Sequence, residues 1–318
     1  MAPITPEWAS LRFSPADVTN RVHFSTVHGP IDTWFRQTPA HDGVFGTTAF
    51  SGQPTGHSSE WLVVCDEPEP GLRSRIPVER RILFLGEPPE VKVYAPAYLN
   101  QFGLVVGPIP LPGFTGSQIH QHSALPWHYG RKRAVSWAEL AADKEKTRAI
   151  SVFCSDKRLT PQQETRLRFV EDLKHTFGNL VEHFGHGFQA IEEKADGLAP
   201  FRMTVALENN THDEFWTEKL GDAYLGHCFP IYAGGRVARR DFDPNARLDI
   251  DLSDRDAALR AVERLVERFD FSAVENTIRK QRHDVMMRHN LFAVADRLIN
   301  ARRHRKGLLL RAKRVRQS

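Results

Sequence analysis

Residues 203–235 read MTVALENNTHDEFWTEKLGDAYLGHCFPIYAGG. A five-residue apolar run gives way to carboxylates, amides and a Thr-Glu-Lys step, then to an apolar-periodic segment, then to a second apolar run closed by two glycines. That succession predicts strand, loop, helix and strand, with Thr217 capping the helix and Glu218 suiting the positive end of its dipole. The polar residues 208–219 therefore fall beyond the carboxyl end of a strand, where parallel sheets bind their ligands.

The pattern continues outward from this stretch. AISVFCS (149–155) and NLVEHFG (179–185) read as strands, and PQQETRLRFVEDLKHTF (161–177) as a helix with Leu167, Val170, Leu173 and Phe177 at helical spacing. Thr160 before Pro161 is a helix start. DRDAALRAVERLVERF (254–269) reads as another helix, and Asp249 and Asp251 fall in a strand before it. Strands alternating with helices predict a doubly wound parallel sheet.

The first half has a different texture. VHFSTV (22–27), WLVVC (61–65), RILFL (81–85) and FGLVVG (102–107) are short strand candidates. Between them HDGVFGTTAFSGQPTGHSS (41–59) reads as a long polar loop. GPIPLPGFTGSQIHQHSALPWHYG (107–130) carries too many Pro and Gly for regular structure. With 318 residues the chain is expected to hold more than one core: 1–148, 149–285, and a helix with a basic tail over 286–318.

Composition narrows the function. No run of eighteen apolar residues occurs, and the opening MAPITPEW lacks a basic segment followed by an apolar one, so a cytoplasmic protein is expected. Cys65, Cys154 and Cys228 sit far apart in apolar runs and read as reduced core residues. The last eighteen residues hold eight Lys or Arg and no acid, so the net charge of +4 becomes −4 without them. Basicity confined to a tail argues against a nucleic-acid-binding body and for an anionic membrane surface, placing the protein peripherally on the inner face of a membrane.

The 208–219 stretch can be a plain capped loop, but its helix amides and Lys219 also suit a diphosphate. Glu218 can accept from vicinal ribose hydroxyls and Asn209 can read a base or sugar edge. Residues 203–235 resemble the donor-site signature of the α1,3/4-fucosyltransferases, glycosyltransferase family ten, in which an E-N-S stretch precedes an aromatic-x-T-E-K step. TRLRFVEDL (165–173) and RDFDPNARL (240–248) extend the likeness over about 150–265, and FLGEPPE (84–90) and LPWHYG (125–130) extend it weakly into the first half. Asn210 stands where that family usually has Ser, and Phe215 where Tyr is common, keeping an aromatic face.

The resemblance implies an α/β fold of the GT-B type, two Rossmann-like domains with a cleft between them. It implies an N-terminal acceptor domain, GDP-fucose as donor substrate, no required cofactor, and inversion at the anomeric carbon. On it Arg166, Asn209, Phe215, Glu218 and Lys219 would hold the donor. Inverting displacement needs a carboxylate to take the acceptor proton. Glu87, in a Gly-Glu position after a strand and fixed by Pro88 and Pro89, is the candidate, with Glu90 as its competitor. Trp127 and His128, with Tyr129, are expected toward the acceptor glycan, an oligosaccharide or glycolipid. His120, His122 and His128 lack a carboxylate or thiol to complete a metal set, so no metal is expected. A non-catalytic nucleotide-sugar binder, or a transferase of another GDP-sugar, remains the alternative.

Overall fold

The computed structural model describes residues 5–88, 91–124, 126–133, 135–209, 212–213 and 215–315, with side chains described to residue 303. It contains two sheets. The first is built from β1 (Asn20–Thr26), β2 (Val44–Phe45), β3 (Thr48–Ser51), β4 (Trp61–Cys65), β5 (Arg81–Phe84), β6 (Leu104–Val106) and β7 (Ser117–Ile119), in the order β2-β3-β1-β4-β5-β6-β7. All its pairs are parallel except β2 with β3. The second, from β8 (Arg148–Phe153), β9 (Val181–Phe184), β10 (Phe201–Leu207), β11 (Phe229–Ala233) and β12 (Leu248–Asp249), runs β12-β11-β10-β8-β9 and is parallel throughout. The fold is α/β, two mostly parallel sheets with a cleft lined by residues from both.

Five helices of eight residues or more occur among the described residues: α1 (Pro161–Phe177), α2 (Glu218–Leu225), α3 (Arg255–Arg268), α4 (Phe271–Asp284) and α5 (Leu291–Val315). Thr160 accepts from the Gln163 N–H at the start of α1, and Leu167, Phe169, Val170 and Leu173 are buried beneath it. That burial is what the 3.6-residue period of its apolar side chains requires.

Two expectations need correction. The 41–59 segment is not a structureless loop: β2 and β3 lie inside it, Phe45 and Phe50 are buried, and β3 pairs with β1. The 107–130 segment likewise contains β7, paired with β6. These strands are two to four residues long and depend on partners remote in sequence, so local alternation gives no sign of them.

Contacts that join the two units include two networks of side chains. Helix α5 returns to the first sheet, where Phe292 packs edge-on against Phe24 and Phe50. Asp296 accepts from the Thr47 N–H at 3.1 Å and the Thr48 hydroxyl at 2.6 Å. The second tie is the segment around residues 127–133, strapped to carboxylates of the second unit. Asp222 Oδ1 accepts the N–H groups of His128 and Tyr129 at 2.9 and 3.0 Å, and its Oδ2 pairs with Lys194 at 2.7 Å. Glu193 accepts from the N–H groups of Gly130, Lys132 and Arg133 at 3.0, 2.9 and 3.2 Å.

Burial alone would raise the Glu193 carboxyl; these three donors and the Ala195 N–H, at 3.2 Å, outweigh that and hold it below the usual value. A depressed folded pKa stabilises above the unfolded pKa, and that stabilisation is lost as pH falls from the ordinary glutamate value toward the lowered one. Glu193→Gln should therefore cost about 1–3 kcal/mol at neutral pH. Denaturant unfolding at pH 7 and at pH 3 should show the deficit shrinking in acid.

Candidate active site

The site begins with Glu208, buried at the end of β10. Its Oε1 accepts the Thr217 N–H at 2.8 Å and its Oε2 accepts the Thr217 hydroxyl proton at 2.7 Å. Thr217 in turn caps α2, its Oγ1 accepting from the Lys219 N–H at 3.4 Å and from Lys219 Nζ at 3.1 Å. A buried carboxylate thus fixes the rotamer of the capping residue and the direction of the first helix amides.

Lys219 Nζ lies 3.3 Å from Glu218 and 3.5 Å from Glu208. Burial disfavours its charge, but these two carboxylates more than compensate and its pKa is raised. Burial likewise opposes the Glu218 charge, and Lys219, Lys194 and His128 overcome it, holding Glu218 down to about 2. At the head of α2 both charges therefore persist at neutral pH despite burial, which alone would favour the neutral forms.

Arg166, buried on α1, donates to Asn209 Oδ1, and its Nε is buried with no partner among the described residues. The two residues selected from sequence on opposite sides of the strand end are thus in direct contact. Asn209 lines the cleft that Glu218 and Lys219 also line, and Arg166 lines a neighbouring, larger cavity of about 710 Å3 with Glu208, Asp213, Tyr232 and Arg239. The close approach of β11's exit to the 212–217 loop requires the glycine pair. A Cβ on Gly235 would sit 2.3 Å from the Phe215 carbonyl oxygen and 2.4 Å from that of His212, and one on Gly234 would sit 2.6 Å from Glu208 Cγ. Gly235→Ala should displace this loop at a cost of about 1–3 kcal/mol, read as a lowered urea midpoint; an unchanged midpoint would show that the loop yields freely.

Across the cleft, β5 delivers Gly86 and Glu87. The Tyr94 phenol accepts from both N–H groups, at 3.1 and 3.2 Å, and donates to Asp66 Oδ1 at 2.5 Å. Asp66 follows β4 in a left-handed conformation (φ 62°), and Lys92 also reaches its Oδ1 at 2.8 Å. A Cβ on Gly86 would come within 2.9 Å of the Asp66 Cβ. The backbone presenting Glu87 is therefore held by the Tyr94 hydroxyl and packed against Asp66. Burial first, and the charges of Asp66 and Glu218 next, raise the Glu87 carboxyl above its usual value.

One cleft of about 400 Å3 is lined by Glu87, Trp127, His128, Asn209, Phe215, Glu218 and Lys219, together with His28 and Arg131. Trp127, only 2% exposed, tilts against Trp137, and Tyr129 is equally buried. Stacking of a sugar on Tyr129 is not what the fold provides: Arg36 donates to the backbone carbonyls of both residues and turns that segment into a wall. The competing base Glu90 and the variant Asn210 lie outside the described residues. Of the three histidines considered together from sequence, His128 lines the cleft, whereas His120 and His122 line another cavity, where His122 meets His289 with ring nitrogens 3.0 Å apart.

Sequence reasoning passed over Glu208, Asp66, Tyr94 and His28. Glu208 offered a signal, a carboxylate directly after an apolar strand; the others are joined only by tertiary contacts.

No family model matches the chain. Over 70 residues, 22% of this chain, it is 30% identical to alpha-(1,3)-fucosyltransferase FucT of Helicobacter pylori, and the matched stretch spans 15% of that relative's length. Among solved structures it is similar to an alpha1,3-fucosyltransferase at 17% identity, covering 90% of this chain and 86% of the other with a TM-score of 0.49. It is also similar to the trehalose-6-phosphate synthase OtsA at 10% identity, covering 77% and 72%, with a TM-score of 0.47. In sequence, this chain is thus similar to the alpha-(1,3)-fucosyltransferases.

Proposed function

We propose that the protein is an inverting glycosyltransferase that moves fucose from GDP-fucose to a hydroxyl of an acceptor glycan, in an α1,3 linkage, on an oligosaccharide or glycolipid precursor of the cell surface. The observation that carries this reading is the meeting of Glu87 from one unit and the Glu218–Lys219 head of α2 from the other in one cleft. The likeness to the fucosyltransferase FucT supports the choice of sugar. The division of labour follows the sheets: residues 1–148 bind the acceptor, and residues 149–285 bind the donor.

Glu87 takes the proton of the acceptor hydroxyl as its oxygen forms the bond to the anomeric carbon. The bond from that carbon to the diphosphate oxygen breaks on the opposite face, and GDP leaves with the electron pair. A carboxyl raised by burial is a stronger base than a solvated one, provided it is ionised. Lys219, the first amides of α2 and Arg166 meet the charge growing on the leaving diphosphate. Glu218 accepts from ribose hydroxyls, Asn209 orients the donor beside Arg166, and Phe215 supplies an apolar face. Charge on the leaving group is met by these cations and dipoles, so the reading assigns no metal.

The basic C-terminal helix fits a peripheral role at an anionic lipid surface. Helix α5 extends to Val315, and no helix among the described residues is long and apolar enough to cross a membrane. A truncated chain ending at residue 301 should lose salt-sensitive binding to phosphatidylserine vesicles.

The function is tested by incubating the full chain with GDP-fucose, GDP-mannose or UDP-galactose and a panel of oligosaccharides. GDP release that depends on acceptor and is confined to GDP-fucose, with an inverted product anomer by NMR, is expected. Release from GDP-mannose alone would reassign the sugar, and tight binding without release would make the chain a nucleotide-sugar binder.

A further inference from the structure

His28 stands just after β1, on the acceptor side of the cleft, and its backbone is held at both ends. Its N–H donates to Thr26 Oγ1 at 3.2 Å, and its carbonyl accepts from the Trp34 indole at 3.1 Å. The Thr26 hydroxyl is itself committed to the Cys65 carbonyl at 3.0 Å. The imidazole lines the cleft with Glu87 and is 45% exposed, while Nε2 lies 2.8 Å from Asp66 Oδ2.

Asp66 is 5% exposed at its side chain. Burial would raise its carboxyl, but bonds from Lys92, Tyr94 and His28 lower it, so it is ionised and can only accept. In its neutral form His28 carries its proton on Nε2, toward that carboxylate. Its Nδ1 is left with a lone pair and has no partner among the described residues. The ring lines the cleft, so a lone pair at Nδ1 can accept from a donor bound there, such as a sugar hydroxyl.

Resting on the transferase reading above, we propose that His28, oriented by Asp66, binds the acceptor sugar by accepting a hydrogen bond at Nδ1 from a hydroxyl other than the one that reacts. The same carboxylate that fixes the Glu87 loop through Tyr94 thereby fixes this second contact. The two acceptor-side groups keep one spacing, and the acceptor class is a pyranose presenting at least two free hydroxyls to the cleft.

The test measures affinity of the full chain with GDP bound, so it does not depend on turnover. The probes are the methyl glycosides of galactose, glucose and N-acetylglucosamine and their monodeoxy analogues, titrated against wild type, His28→Phe and His28→Asn. His28→Phe should weaken binding of the preferred glycoside about tenfold, with GDP affinity unchanged. Asn, whose amide oxygen can stand near the Nδ1 position, should restore most of it. One monodeoxy analogue should lose affinity on wild type and none on His28→Phe. Equal glycoside affinity for wild type and His28→Phe, the same deoxy penalty in both, or no glycoside binding at all would overturn the proposal. Where transfer is measurable, the change should fall on the acceptor KM; a collapse of kcat with KM unchanged would instead put His28 on the reacting proton and also refute it.

Discussion

Glu87→Gln is expected to lower transfer by about 10²- to 10⁴-fold while leaving GDP affinity nearly intact. The amide keeps the size of the side chain, and Tyr94 still holds the Gly86 and Glu87 N–H groups, so the loop stays in place. Only the proton acceptor is removed. The pH profile supplies a second check. A base works in its ionised form, and burial with the neighbouring Asp66 raises this carboxyl, so the acid limb of kcat should fall at a pH above the ordinary glutamate value. The Gln variant should lack that limb. A wild-type rate for Glu87→Gln would move the base to Glu90 or remove the mechanism.

Lys219→Ala should act differently, weakening donor binding and turnover together. On the proposed mechanism the ammonium meets the charge of the leaving group, and groups of that kind are worth about 10²–10³ in kcat. Its loss also leaves the Glu208 and Glu218 carboxylates, 3.5 and 3.3 Å from Nζ, facing an incoming diphosphate without a neutralising charge. A higher donor KM must therefore accompany the lower kcat. If kcat falls while the donor KM is unchanged, Lys219 touches only the transition state; if neither changes, the diphosphate lies elsewhere.

Much of the second unit was legible because its signals are local. Leu167, Val170 and Leu173 recur at helical spacing and are buried where that spacing puts them, and Thr160 and Thr217 announce helix starts by chemistry within three residues. The glycine pair at 234–235 closes an apolar run and proves to be demanded by backbone carbonyls of residues 212 and 215. In the first unit β2, β3 and β7 escaped notice, since a strand of two to four residues has no period and exists through a neighbour far along the chain.

The candidate site divides along the same line. Its donor side lies mostly within a dozen consecutive residues, 208–219, and could be selected together. The acceptor side could not: Asp66 reaches His28 across 38 residues and Tyr94 across 28, and nothing in the local sequence of any of them marks the pairing. Tyr129 misleads for a related reason. Aromatics in a Pro- and Gly-rich loop suggest a sugar platform, but Arg36, Asp222 and Glu193 draw this segment inward and bury the Tyr129 ring.

On the proposed function the nucleotide sugar sits between the head of α2 and the strand ends of the second sheet. Hydrogen–deuterium exchange of the full chain with and without GDP-fucose tests this placement most directly. Slowed exchange is predicted at the amides of residues 217–220 and of the peptide containing Asn209, with the first turns of α1 following and the far end of α3 unchanged. Protection confined to residues outside these segments, or none at donor concentrations that saturate transfer, would contradict it.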